Sequence, residues 1–238
     1  MVTEPPAGVL EKPKAILFDW DNTLVDSWPC IHDALNTTLV AMGQAAWSLE
    51  ETRERVGLSM RDAFPQLFKD RWEEARDIFF ARFKAIHLER LALTPNARAL
   101  LETLAGQGVR LAVVSNKTGD FLRIEAAQLG LTSVFDALVG AGDAPRDKPA
   151  PDPGYMALAP SGLAPGPTVW FVGDSDVDLA CAAALGCTGI LVRPEPPRPG
   201  EFADTPPHAH VNGCGALRAL LDRLGTGEPL PSSSSPDR

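Results

Sequence analysis

Two textures alternate along most of the chain. Short apolar runs end at Asp, Asn, Gly or Val: "AILFD" (15–19), "VRLAVVSN" (109–116), "VFDALVG" (134–140), "TVWFVGD" (168–174), "TGILV" (188–192) and "AHVNG" (209–213). Runs that are apolar throughout, rather than every second residue, predict strands buried on both faces. Between several of them lie helical patterns: "NARALLETLAGQG", "TGDFLRIEAAQLG", "VDLACAAALG" and "CGALRALLDRLG", each closing on a glycine suited to a helix stop. Strand–helix alternation of this kind predicts an α/β fold: a doubly wound, mainly parallel sheet with helices on both faces. One segment breaks the rhythm. From Val25 to Leu93 there is no strand pattern, only helical stretches such as "WPCIHDALNTTLVAMG", "SLEETRERVG", "MRDAFPQLF" and "DRWEEARDIFFARFKAIHLERL". A βα connection usually takes about 2–6 residues. The expected organisation is therefore a core of residues 14–24 and 94–224, interrupted by an all-helical insert at 25–93. A flexible leader is expected at 1–13, and a disordered Gly/Pro/Ser-rich tail at 225–238.

Composition narrows the class. The chain has 238 residues, 45% of them hydrophobic and 22% charged, enough to bury a real core. A formal net charge of −9 makes nucleic acid and anionic membranes poor partners, so neither is expected. No apolar run approaches the roughly 20 residues that span a bilayer. The four cysteines form no CxxC pair and no zinc-spaced cluster. With a proline-rich opening that lacks an apolar signal core, this predicts free thiols in a reducing, cytoplasmic setting.

The chemistry is expected where the apolar runs end. In open parallel sheets, ligands bind at the carboxyl ends of the strands. Asp19 and Asp21 follow the first run, Ser115 and Asn116 close the second, and Asp174 with Asp178 follows "TVWFV". Gathering these acids at one crevice would concentrate negative charge unless a cation joined them. Oxygen-only donors suit Mg²⁺. Lys148, in the proline-stiffened "RDKPAPDPG", is a candidate second cation. One carboxylate of the Asp19/Asp21 pair can attack an electrophile. The other, two residues on, can pass a proton to the leaving group.

Taken in order, "DWDNTL", "SNK", "KPAPDP" and "GDSDVD" resemble the four motifs of the haloacid dehalogenase superfamily, in its phosphatase branch. The resemblance runs from about Lys14 to Leu224, and its overall shape is similar to the phosphoglycolate phosphatase group. It implies a Mg²⁺-dependent phosphatase acting on a small phosphorylated metabolite through an aspartyl-phosphate. It also implies that the 25–93 insert is a helical cap. Carried over, Asp19 is nucleophile and metal ligand. Asp21 is acid/base and lends its backbone carbonyl to the metal. Ser115 and the Asn116 backbone bind phosphoryl oxygens. Lys148 pairs with nucleophile and phosphate, and Asp174 is a metal ligand. Asp178 and Thr23 are supporting residues.

Alternatives on this reading are a sugar phosphomutase on the same scaffold and a non-catalytic phospho-acceptor or binding protein. A dehalogenase would not need the acid at Asp21. Monomer and homodimer are both open. Asp176 is expected to be an exposed loop acid, and His208 and His210 to belong to a strand entry rather than a metal site. His32 and His87 fall on helical patterns of the insert, where surface or partly buried positions are expected. Trp47, Trp72, Phe79, Phe80 and Phe83 are expected to form the insert's own core. Arg61 is a candidate for a substrate's distal group.

Overall fold

The structure is a computed structural model describing residues 10–56 and 60–226. The six predicted strands all form: β1 (Ala15–Phe18), β2 (Arg110–Thr118), β3 (Ala137–Ala141), β4 (Val169–Gly173), β5 (Thr188–Val192) and β6 (Ala209–Val211). They make one sheet in the order β3-β2-β1-β4-β5-β6, with every pairing parallel. The helices are α1 (Trp28–Ala41), α2 (Leu49–Arg55), α3 (Met60–Phe68), α4 (Trp72–Ile86), α5 (Ala97–Gly106), α6 (Gly119–Gln128), α7 (Asp152–Leu158), α8 (Asp176–Leu185) and α9 (Cys214–Thr226).

The strands are apolar on both faces because both faces are covered. In β1, Ile16 and Phe18 point into one layer, together with Leu100, Leu104, Leu122 and Leu217 from α5, α6 and α9. Ala15 and Leu17 point into the other, against Ala157, Leu158, Cys181 and Leu185 from α7 and α8. The period of two within a continuous apolar run thus sorts side chains between two cores. Leu10 joins the first layer, and the Glu11 carbonyl accepts a hydrogen bond from Trp170 Nε1 at 3.1 Å. Residues 1–9 of the expected leader and 227–238 of the expected tail lie outside the described residues.

The chain up to Ala141 lays down β1, β2 and β3 in one direction across the sheet. The remainder lays down β4, β5 and β6 on the other side of β1. The order therefore reverses beside β1, and a crevice opens at the carboxyl ends of β1 and β4. Helices α1 to α4 leave and re-enter the chain at that crevice. The two connections run side by side, with Asp26 N donating to Ala92 O at 2.9 Å and Thr94 N to Leu24 O at 2.9 Å. These helices have a separate apolar cluster: Phe64, Phe68, Phe79 and Phe83 are buried, with Trp47, Trp72 and Phe80 packed around them. The aromatics expected to pack together in the insert do so.

Three details differ from expectation. Helix α7 has no counterpart among the predicted helices, because its seven residues open on Asp-Pro-Gly directly after Pro151 and show no helical period. The last helix of the insert stops at Ile86, short of the run predicted to Leu91. His87, expected at a surface or partly buried position, is 5% exposed. The Arg61 side chain lies outside what is described.

Candidate active site

The loop leaving β1 explains the order Asp-Trp-Asp. Alternate residues point to opposite sides of an extended strand end. Trp20 turns inward, fully buried, edge-on to Phe135 with ring centroids 6.5 Å apart. Asp19 and Asp21 on either side of it line the crevice. The backbone of Asp19 is tied across the switch point, its N–H donating to Val172 O at 2.8 Å. The loop then turns at Asn22, whose φ of 60° is left-handed, a conformation asparagine tolerates better than most residues. Thr23 is buried, and its carbonyl accepts from Thr94 Oγ1 at 2.9 Å. Its hydroxyl has no partner among the described residues.

Lys148 reaches the same point from the β3–α7 connection. Its Nζ donates to Asp19 Oδ1 at 2.7 Å and to Asp178 Oδ1 at 2.6 Å, and the side chain is 3% exposed. Asn116 Nδ2 donates to the Lys148 carbonyl at 3.1 Å, fixing one end of that connection to the end of β2. Asp178 is committed on both sides. Oδ1 takes Lys148, while Oδ2 accepts from Ser175 N at 3.1 Å and Ser175 Oγ at 2.7 Å. Gly173 is required here, because a β-carbon at that position would overlap the Asp178 carboxylate. Ser115, 3% exposed in the carboxyl-terminal half of β2, accepts from Lys117 N at 3.2 Å and lines the cleft.

Carboxylate oxygens of Asp19, Asp174 and Asp178 lie within 4.8 Å of one another. Burial, with Asp178 and Asp21 adding repulsion and Lys148 opposing, pushes the Asp19 carboxyl up to about 7. Burial, reinforced by Asp178 and Asp19, lifts Asp174 well above the usual carboxylate range. Lys148 is desolvated too, but Asp178 and Asp19 outweigh that and hold its ammonium above its ordinary range. Three enclosed acids against one ammonium leave the cluster short of positive charge. A divalent cation with oxygen preference fits such a donor set. With Asp178 fully engaged by Lys148 and Ser175, Asp19 and Asp174 are the carboxylates best able to hold it. The Asp21 side chain stands outside the three-acid group. It meets Lys117 Nζ at 2.8 Å and the Ser27 hydroxyl instead.

Above this floor is a cleft of about 1020 Å³. The core lines it with Asp19, Asp21, Ser115, Asn116 and Lys148, and the helical segment with Leu35, Trp47, Phe64, Trp72 and Phe80. His208 and His210 are remote from it in the bonding they make: His208 Nδ1 accepts from Gly189 N at 3.1 Å, and His210 Nε2 meets the Arg193 carbonyl at 2.8 Å. Asp176 is exposed, as expected.

The residue reading missed Glu125. It carried a signal, because Leu122, Glu125, Ala126 and Leu129 fall at i, i+3, i+4 and i+7, which puts a carboxylate on the apolar stripe of α6. The structure buries it to 1% exposure, and Trp20 Nε1, Lys117 and His87 all bond to it.

Residues 16–192 match the family model described as haloacid dehalogenase-like hydrolase. A phosphoglycolate phosphatase from Cereibacter sphaeroides (strain ATCC 17025 / ATH 2.4.3) is 32% identical over 217 residues, covering 88% of this chain and 98% of its own. One from Rhodospirillum rubrum is 34% identical over 192 residues, covering 76% and 79%. A haloacid dehalogenase-superfamily hydrolase from Ehrlichia chaffeensis superposes with a TM-score of 0.63 at 29% identity, over 90% of this chain and 98% of that one. With its six-stranded parallel sheet and its acids at the switch point, the chain belongs to the haloacid dehalogenase-like hydrolase family, as an enzyme of the phosphatase kind.

Proposed function

We propose that this protein is a Mg²⁺-dependent phosphatase that hydrolyses a small phosphate monoester through an aspartyl-phosphate on Asp19. Phosphoglycolate is the first substrate to test, given the names of its relatives. The observation that carries the reading is the convergence of Asp19, Asp174, Asp178 and Lys148 at the floor of the cleft.

In this reading Asp19 and Asp174, with the Asp21 backbone carbonyl, hold the metal. Mg²⁺ supplies charge that offsets the phosphoryl oxygens and the carboxylates around them. Lys148 steadies the Asp19 carboxylate and the incoming phosphoryl group, and Asp178 holds Lys148 in place. Ser115 and the Asn116 backbone donate to phosphoryl oxygens. Asp19 attacks phosphorus, forming a new O–P bond as the ester P–O bond breaks. Asp21, entering as the acid, gives its proton to the departing oxygen. A water molecule then attacks the same phosphorus and returns a proton to Asp21. Inorganic phosphate leaves and Asp19 is free again. Phosphoryl transfer relies on positioning and charge stabilisation rather than on further covalent chemistry, which suits a site built of fixed charges.

Residues 25–93 act as the cap, closing over a small substrate and limiting water at the reacting phosphorus. The proposed setting is cytoplasmic. The four cysteines are free and buried, and burial pushes the Cys30 and Cys181 thiols up to about 12, far from reactive thiolates.

The test is phosphate release from a panel of phosphorylated metabolites, phosphoglycolate included, with Mg²⁺ and with a chelator. Metal-dependent release from at least one small monoester is expected. A folded protein that releases phosphate from none of them would count against the reading.

A further inference from the structure

Lys117 takes no part in the steps above, yet its ammonium is one of the most enclosed charges in the molecule. The side chain is 5% exposed. It meets three acceptors, Asp21 Oδ1 at 2.8 Å, Glu125 Oε1 at 2.9 Å and Glu125 Oε2 at 2.8 Å, one for each of its N–H bonds. Glu125 is equally engaged, accepting from Trp20 Nε1 at 2.7 Å and meeting His87 Nδ1 at 2.8 Å. Desolvating such a pair generally costs as much as its attraction returns, so stability alone is a weak reason for it. Burial works against the Lys117 charge, but Asp21 and Glu125 together hold its ammonium above the usual range.

Asp21 and Lys117 are where this buried group of charges reaches the cleft. Lys117 Nζ and the Ser27 hydroxyl both engage Oδ1. Among the described residues that leaves Oδ2 as the uncommitted oxygen of a residue lining the cleft. An acid/base group must present one oxygen to the leaving group at a defined place, and a carboxyl on a loop needs something rigid to set its rotamer. Lys117 is rigid because Glu125 holds two of its three protons from α6, beneath the apolar stripe. We propose that Lys117, anchored by Glu125, is the positioning residue that sets the Asp21 carboxyl for proton transfer. This rests on the proposed role of Asp21. His87 follows directly after α4, so the same anchor joins the helical insert to the loop that carries Asp21.

The test uses Lys117→Met, together with Lys117→Met/Glu125→Gln, which avoids a buried unpaired carboxylate should the single variant not fold. The kcat/KM of each is measured on phosphoglycolate, whose alkoxide needs a proton, and on 2,4-dinitrophenyl phosphate, whose leaving group does not. General acid catalysis contributes about 10²–10⁴-fold, so a loss of about 100-fold is expected on phosphoglycolate, against less than about 5-fold on the dinitrophenyl ester. Equal losses on both esters, or no loss on either, would overturn the proposal. Crystal structures of wild type and variant supply a readout that does not depend on turnover. The Asp21 carboxyl is expected to leave its Ser27-facing position, and an unmoved carboxyl overturns the proposal. A wild-type protein inactive on both esters would remove phosphoglycolate as the substrate and count against the proposed function, while the crystallographic comparison would still decide the positioning.

Discussion

Asp19 is held where burial opposes its charge and a single lysine opposes burial. Replacing it with asparagine removes the proposed nucleophile but little of the packing, because Lys148 keeps Asp178 at 2.6 Å. Asp19→Asn is expected to lower phosphate release by about 10³-fold or more. Its melting temperature should match or exceed that of the wild type, since a repelled carboxylate has been neutralised. Circular dichroism melts beside a phosphate assay check both halves, and an asparagine variant that retained metal-dependent turnover would remove Asp19 from its assigned role. Most residues at this scale were legible from the chain, because strand ends mark where polar groups must gather. Glu125 was the exception. Its place on an apolar stripe is visible in the sequence, but two of its three partners, Trp20 and His87, come from elements far from it along the chain.

At the scale of elements, the β4–α8 junction shows how two elements create a site. The strand delivers Asp174, the helix start presents Asp178 one turn later, and Gly173, the last residue of the strand, leaves room for the Asp178 carboxylate. Gly173→Ala is expected to cost about 1–3 kcal/mol through overpacking, and to weaken divalent-cation binding by moving Asp178 off Lys148. Gly106→Ala is the control. A β-carbon there meets nothing within 4 Å in α5, so stability should be unchanged or raised by about 0.5–1 kcal/mol. Urea melts and a metal titration separate the two, and equal behaviour would contradict the steric account. Sheet strands and long helices were predictable because burial writes a period into them. Helix α7 was not, since seven residues that open on Asp-Pro-Gly show no period and the helix is stabilised by packing against the sheet.

At the scale of the whole molecule, the proposed metal site would couple to folding. The Asp19 pKa rises from an ordinary 3.8 to about 7 in the folded state. The folded protein therefore binds that proton more tightly than the unfolded chain does. Without metal, stability should fall as pH rises between these values and level off above them. A divalent cation must displace the same proton, so its stabilising effect should grow across the same window. Scanning calorimetry with and without Mg²⁺ should show a larger gain in melting temperature at about pH 8 than at about pH 5. A gain independent of pH, or none, would count against metal binding at Asp19.

By itself the sequence determined the parallel sheet, its helical cover, the long helical interruption after β1 and the acids at the strand ends. All of these follow from local periodicity and from where apolar runs must stop. Only the tertiary structure decided which charges meet. Residues 19, 148 and 178 share hydrogen bonds because the strand order reverses beside β1. Residues 21, 87, 117 and 125 share a buried group of charges because a helix of the insert ends against α6. Contacts between residues so far apart in sequence leave no period in the chain, and only packing brings them together.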